Sequence, residues 1–165
     1  MNDNRLRVAY LPVSKGSWID DRVRAACAEA QAALRSLDLE LLAPDHVLID
    51  ERAAGEVARR LRSPGVDLCL VHFISFMAGA IVPTLLNELE APVVLWSTPE
   101  PPFDGGRLRA NSFCAVNMTA HVLKKLRRKY FWVHAQPAQI ADELADILAV
   151  VGCAKLLKRS RVAVI

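Results

Sequence analysis

A carboxylate set between prolines is the first residue in the sequence whose placement suggests chemistry. Glu100 lies in Trp96-Ser97-Thr98-Pro99-Glu100-Pro101-Pro102-Phe103-Asp104-Gly105-Gly106, directly after an apolar run. Proline fixes its own φ and restricts the residue before it, so Glu100 is presented with little backbone freedom left to lose. A carboxylate held this way at a strand end suits a sugar hydroxyl or a neighbouring cation. The same residues also make an ordinary proline-rich connection with a solvated glutamate, and the sequence leaves both readings open.

A second polar loop, Ser14-Lys15-Gly16-Ser17-Trp18, offers backbone N–H groups, hydroxyls, an ammonium and an aromatic face, a set that fits an anionic or polyhydroxyl ligand. Neither GxxxxGK[ST] nor a GxGxxG after the first strand is present, so no nucleotide motif stands behind it, and Ser17 is equally suited to cap the following helix. Asn111, Ser112 and Asn117 bracket another helix start, where amides and hydroxyls either cap or point into the same crevice. His72 and His134 both end strands and, with Glu100, imitate a two-histidine, one-carboxylate metal site. No HxH or HExxH spacing supports that site, and strand-end histidines are commonly satisfied polar residues. Cys27, Cys69, Cys114 and Cys153 lack the spacing of a zinc or redox motif and read as reduced, mostly buried thiols.

These loops need strands and helices to position them, and the hydrophobic pattern supplies both. Arg5–Leu11, Leu39–Ala43, Val66–Phe73, Val93–Ser97 and Tyr130–His134 are short apolar runs. Helical periodicity covers Ile19–Leu37, Asp50–Arg62, Ala80–Leu89, Ala115–Leu126 and Ile140–Leu157. Val66–Phe73 and Val93–Ser97 are continuously apolar, as expected when helices cover both faces of a parallel sheet. The β-α alternation predicts a doubly wound α/β sandwich of Rossmann or flavodoxin-like type, with ligands beyond the carboxyl ends of the strands. Arg161–Ile165 is a further strand signal. It divides the chain into one domain over residues 1–160 and, at 161–165, the first strand of a following domain.

Composition narrows the function classes. The chain has 165 residues, 53% of them hydrophobic, and a formal net charge of +3, which suits one globular domain and neither a disordered chain nor a dedicated nucleic-acid binder. The one dense basic run, Lys124-Lys125-Leu126-Arg127-Arg128-Lys129, follows a helix and complements its dipole, with a subunit contact as a further reading. No apolar stretch reaches the roughly 20 residues of a membrane span, and the first residues lack a signal-peptide pattern, so a cytoplasmic protein is expected.

Several ordered segments resemble the amino-terminal region of L-fucose isomerase-like proteins, relatives of L-arabinose isomerase. They are Val8–Trp18 (VAYLPVSKGSW), Val71–Phe76 (VHFISF), Val93–Pro101 (VVLWSTPEP) and Gly106–Leu123 (GRLRANSFCAVNMTAHVL). The resemblance implies aldose–ketose isomerisation assisted by a divalent ion, usually manganese (Mn2+). The metal ligands of the family lie in later domains, so the resemblance places none on this chain and implies that the chain alone is inactive. It further implies an α/β layer that supports homo-oligomer assembly and walls a monosaccharide pocket. Lys15, Trp18, His72, Thr98, Glu100, Asn111 and Ser112 are the candidate sugar-facing or interface residues. A stand-alone small-molecule-binding or scaffold module is the competing expectation.

Overall fold

The computed structural model describes residues 5–77, 79–102, 105–106 and 108–161. Among the described residues five strands, β1 (Leu6–Val13), β2 (Leu39–Leu42), β3 (Leu68–Phe73), β4 (Val93–Ser97) and β5 (Tyr130–His134), alternate with five helices. The helices are α1 (Asp21–Arg35), α2 (Glu51–Arg62), α3 (Ile81–Glu88), α4 (Ser112–Lys125) and α5 (Ile140–Arg159). All strand pairings are parallel, in the order β2-β1-β3-β4-β5. This is the expected three-layer α/β sandwich, with the flavodoxin-like order and its reversal between β1 and β3. Of the strand signal at Arg161–Ile165, residues 162–165 lie outside the described residues.

Each face of the sheet has its own core. Ala9, Leu11, Cys69, Val71, Val93 and Leu95 pack beneath α2, α3 and α4. Val8, Tyr10, Leu68, Leu70, Val94 and Trp96 pack against Ala30 and Leu34 of α1 and Ile140, Leu144 and Val151 of α5. The central strands β3 and β4 are buried at every residue, which accounts for their continuous apolar runs. β5 differs, because four of its five residues are exposed.

Two helix starts, those of α1 and α2, follow side-chain chemistry, with one correction to the expected capping. Asp20, not Ser17, caps α1, accepting from the Val23 N–H at 2.9 Å, while Ser17 lies in a single 3-10 turn over Gly16–Trp18. A carboxylate there satisfies an otherwise unpaired helix donor and meets the positive end of the dipole. Asp50 does the same for α2 through the Ala53 N–H at 2.8 Å. α4 begins three residues before the expected Ala115, at Ser112. The thiols also differ from expectation, since Cys69 is buried, Cys27 half-buried, and Cys114 and Cys153 exposed.

Pro12 lies inside β1, in register with His72 of β3. β2 accompanies β1 only as far as Ala9, so the missing Pro12 N–H faces a stretch without a continuous neighbour. The Pro12 carbonyl accepts from the Leu48 N–H at 2.8 Å, and Ser14 N–H donates to the Leu48 carbonyl at 3.2 Å.

At the opposite end of the sheet, Lys155 of α5 donates to the Asp67 carboxylate at 2.7 Å and to the Arg5 carbonyl at 2.8 Å. Asp67 also accepts from the Arg7 backbone N–H at 2.8 Å, so one half-buried carboxylate ties α5 to β1. Burial raises the Asp67 pKa, but the Arg7 N–H and the Lys155 and Arg159 cations outweigh it and hold the group below the usual carboxylate range. A lowered folded pKa stabilises above the unfolded value and is lost as the pH falls through the folded one. Asp67→Asn is therefore expected to cost about 1–2 kcal/mol at neutral pH. Urea unfolding should show the difference from wild type shrinking once acid protonates the carboxylate.

Candidate functional site

Three loops leave the carboxyl ends of β1, β3 and β4 beside the point where strand order reverses, and they are joined to one another. Ser14 and Ser75 hydroxyls meet at 2.6 Å in a buried contact, and the Lys15 N–H donates to the Phe76 carbonyl at 2.8 Å. The Phe76 N–H in turn donates to the Ala110 carbonyl at 2.6 Å. These bonds satisfy main-chain groups that leave the ladders and fix the crevice floor without help from a ligand.

Glu100 holds the third loop closed. Its carboxylate accepts from the backbone N–H groups of Arg109, Ala110 and Asn111, the last at 2.6 Å. Asn111, the residue before α4, takes the left-handed conformation at φ 51°, a region that asparagine tolerates better than most residues. The Asn111 side chain makes no cap bond; the Glu100 carboxylate, eleven residues away, instead takes the N–H of Asn111 and those of the two residues before it, in the turn that leads into α4. Burial raises the Glu100 pKa, but the three N–H donors and the nearby Arg22 cation bring it below the ordinary value. Ser112 completes the closure by donating its hydroxyl to the Thr98 carbonyl.

Beneath this loop runs a buried chain of polar groups on the α1–α5 side of the sheet. His72 is fully buried, its imidazole stacked on Trp96 with centroids 3.6 Å apart and planes 9° from parallel. Its Nδ1 lies 2.8 Å from the Tyr10 hydroxyl and its Nε2 2.7 Å from Thr98 Oγ1. Tyr10 also bonds to Cys27 of α1. A neutral ring donates at one nitrogen and accepts at the other, so the hydrogen bonds run in a single sense along the chain, either from Cys27 through Tyr10 and His72 to Thr98 or the reverse. Burial pushes the His72 pKa down to about 3, which keeps the ring neutral, and pushes the Tyr10 hydroxyl well above its usual range.

The candidate residues thus fall into two groups. Trp18, Arg109, Leu108 and Gly106 line a hollow of about 380 Å3 between the first and third loops, with Ser17, Ile19 and Asp20. Lys15 is exposed on the first loop, and Asn111 is half-buried at the foot of the third. His72, Thr98 and Ser112 lie in the floor, with His72 acting on the crevice only through Thr98. Tyr10, Ser75 and Arg22 belong to the same assembly and were not singled out by sequence. The signal for Tyr10 is its position in β1, where β1 and β3 register places it beside His72 on one face. Arg22 of α1 donates to the Arg109 carbonyl at 2.7 Å. A larger hollow of about 880 Å3 lies at the amino ends of the strands, around Asp67 and Pro92, away from this convergence of loops.

The residues do not fit a divalent ion. Among the described residues no three His, Cys, Asp or Glu side chains converge on one point. His72 spends both nitrogens on Tyr10 and Thr98, His134 Nδ1 lies 2.7 Å from Ser97 Oγ, and Glu100 faces main-chain donors.

Two outcomes test this geometry. Glu100→Ala removes the acceptor of three N–H groups, so a loss of about 1–2 kcal/mol is expected, with faster amide exchange at residues 109–111. Unchanged stability and exchange would show that the carboxylate does not hold the loop. A histidine whose folded pKa is lowered makes the unfolded chain take up the proton first, so stability should decline as the pH drops below about 6.5. His72→Gln should flatten that decline between about pH 6 and pH 4 in denaturant titrations.

Comparison with known proteins agrees with this architecture. Over 162 residues the chain is 26% identical to a sulfoquinovose isomerase of Alkalicoccus urumqiensis, covering 97% of this chain and 36% of that protein. The sulfoquinovose isomerase of Priestia aryabhattai is 22% identical over 160 residues, covering 96% and 36%. That of Clostridium sp. (strain MSTE9) is 27% identical over 120 residues, covering 73% and 26%. The chain thus spans about a third of the length of the first two relatives. The family model described as the fucose/sulfoquinovose isomerase N-terminal domain matches residues 9–158, which include β2 to β5, most of β1 and all of the five helices but the last residue of α5, and the chain belongs to that family.

Proposed function

We propose that this chain is the amino-terminal layer of a metal-dependent aldose–ketose isomerase, where it walls the monosaccharide pocket and takes part in assembly of a homo-oligomer in the cytoplasm. The hollow between Trp18 and Arg109 is the observation that carries the reading, because it joins an indole face to a cation at the reversal point of a parallel sheet. An indole packs against the C–H face of a sugar ring, and a guanidinium binds an anionic substituent. Lys15 and Arg22 add positive charge nearby, which makes a sulfonated hexose such as sulfoquinovose, the sugar in the relatives' name, the first substrate to test.

In this reading the domain does not carry out the hydrogen transfer itself. Trp18 and Lys15 contact the sugar, Thr98 offers its hydroxyl from the crevice floor and Asn111 an amide at the foot of the third loop, and Glu100 and Ser112 keep the loop shut. His72 is a positioning residue that orients the Thr98 hydroxyl. A divalent ion, manganese by the resemblance to L-fucose isomerase-like proteins, would supply polarisation of the C1 and C2 oxygens when bound, and we assign it to the remaining domains.

The test is an isomerisation assay on a protein that carries this domain within the full family length, with sulfoquinovose, fucose and arabinose as substrates. Conversion of one of them, abolished by chelation and restored by Mn2+, is the expected result. Trp18→Ala should raise KM about tenfold, equivalent to about 1.4 kcal/mol, with stability unchanged. A well-folded protein that converts none of these sugars would overturn the reading in favour of a binding or scaffold module.

A further inference from the structure

The buried polar chain beneath the crevice has one hydrogen more than its bonds can use, and the place of that hydrogen decides what the site presents to a ligand. Four groups are joined by three links: Cys27 to Tyr10, Tyr10 to His72 Nδ1 at 2.8 Å, and His72 Nε2 to Thr98 Oγ1 at 2.7 Å. In their neutral forms each carries one polar hydrogen, on the sulfur, on the two hydroxyl oxygens and on one ring nitrogen. Bonds running from Cys27 to Thr98 leave the Thr98 hydroxyl hydrogen unused. Bonds running from Thr98 to Cys27 leave the thiol hydrogen unused instead.

The two ends are unequal. Thr98 is 8% exposed, and among the described residues His72 is the only hydrogen-bonding partner of its Oγ1. A buried O–H without an acceptor forfeits a bond that it would make in water. A thiol is a weak donor and loses little when its hydrogen goes unused, and Cys27 is only half-buried. Sulfur can still accept from Tyr10, which is fully buried with His72 and Cys27 as its only side-chain hydrogen-bond partners among the described residues. The smaller loss therefore falls on sulfur: Thr98 donates to Nε2, Nδ1 donates to Tyr10, and Tyr10 donates to Cys27.

We infer that the chain runs from Thr98 to Cys27, so that Thr98 meets a ligand as a hydrogen-bond acceptor and takes a sugar hydroxyl there, not a carbonyl or anionic oxygen. Tyr10 and Cys27 are then positioning residues. They hold the His72 hydrogen on Nδ1 and leave the lone pairs of Thr98 Oγ1 to the crevice. The ligand is thereby oriented, its anionic substituent towards the Trp18–Arg109 hollow and a hydroxyl towards Thr98. That the ligand is a sugar rests on the proposed function, whereas the sense of the chain does not.

Long-range proton–nitrogen NMR correlations on the 165-residue chain show which nitrogen of each imidazole carries the hydrogen. The His72 ring, identified by its loss in His72→Gln, should be protonated on Nδ1. Cys27→Val removes the last acceptor while keeping the space beside Tyr10 filled, and should move the hydrogen to Nε2. Cys27→Ser should keep it on Nδ1, since a helical serine can place its own hydrogen on the carbonyl four residues back and still accept from Tyr10. A wild-type ring protonated on Nε2 would overturn the inference, as would a hydrogen that stays on Nδ1 in folded Cys27→Val. In a protein of full family length that converts a sugar, Cys27→Val should raise KM about tenfold with kcat nearly unchanged, and Cys27→Ser should recover the wild-type KM. An unchanged KM beside a moved hydrogen would overturn the assignment of Thr98 to a sugar hydroxyl. A protein that converts no sugar, with its ring protonated on Nδ1, would uphold the sense of the chain and count against the proposed function.

Discussion

A parallel sheet must be covered on both faces, and this one divides five helices unequally between them. α1 and α5 cover one side and α2, α3 and α4 the other; right-handed crossovers in a sheet that reverses between β1 and β3 place α1 opposite α2, α3 and α4, and α5 returns from β5 to the α1 side. The reversal separates the loops after β1 and β3 from the helices on either side, and that separation makes the crevice. The helices complete the burial of β3 and β4 but leave β5 with only Val133 of its five residues buried. The pocket and the exposed β5 edge therefore have one origin, at opposite places in the same sheet.

The crevice combines a rigid floor with a closed loop. Stacking on Trp96 and two hydrogen bonds fix His72, and through it the Thr98 hydroxyl. A buried polar chain of this kind gives orientation rather than a charged group, because the low dielectric that strengthens its hydrogen bonds also keeps the imidazole neutral. Glu100 works in the opposite sense. Main-chain donors around it favour its ionised form, and the negative charge organises the turn that leads into α4.

The element order and the doubly wound class were legible because continuous apolar runs and amphipathic stretches differ in period, and β4 and β5 match their expected bounds at both ends. The capping of α1 was less legible, since Ser17, Asp20 and Asp21 all have suitable side chains and only the backbone path selects Asp20. Glu100 was visible as a restrained carboxylate, but what it faces depends on the fold of residues 109–111, which no local pattern encodes. The run YFWVH reads the same whether helices cover it or not, because its exposure depends on strand order and on where α4 and α5 lie. Tyr10 escaped notice for a related reason: its role comes from a neighbour sixty-two residues away.

Pro12 has a consequence for the outline of the molecule. In a parallel ladder the step before the Val13–Leu48 bridge would require the Pro12 nitrogen to donate to the carbonyl of His46, and it has no hydrogen to give. The strand that begins as β2 cannot be zipped continuously along β1, so Pro44–Val47 bow outwards before Leu48 rejoins. The bow leaves a second groove of about 720 Å3 against α1, floored by Pro12 and Cys27. A single absent hydrogen thereby sets the contour of that flank, whichever side chains line it.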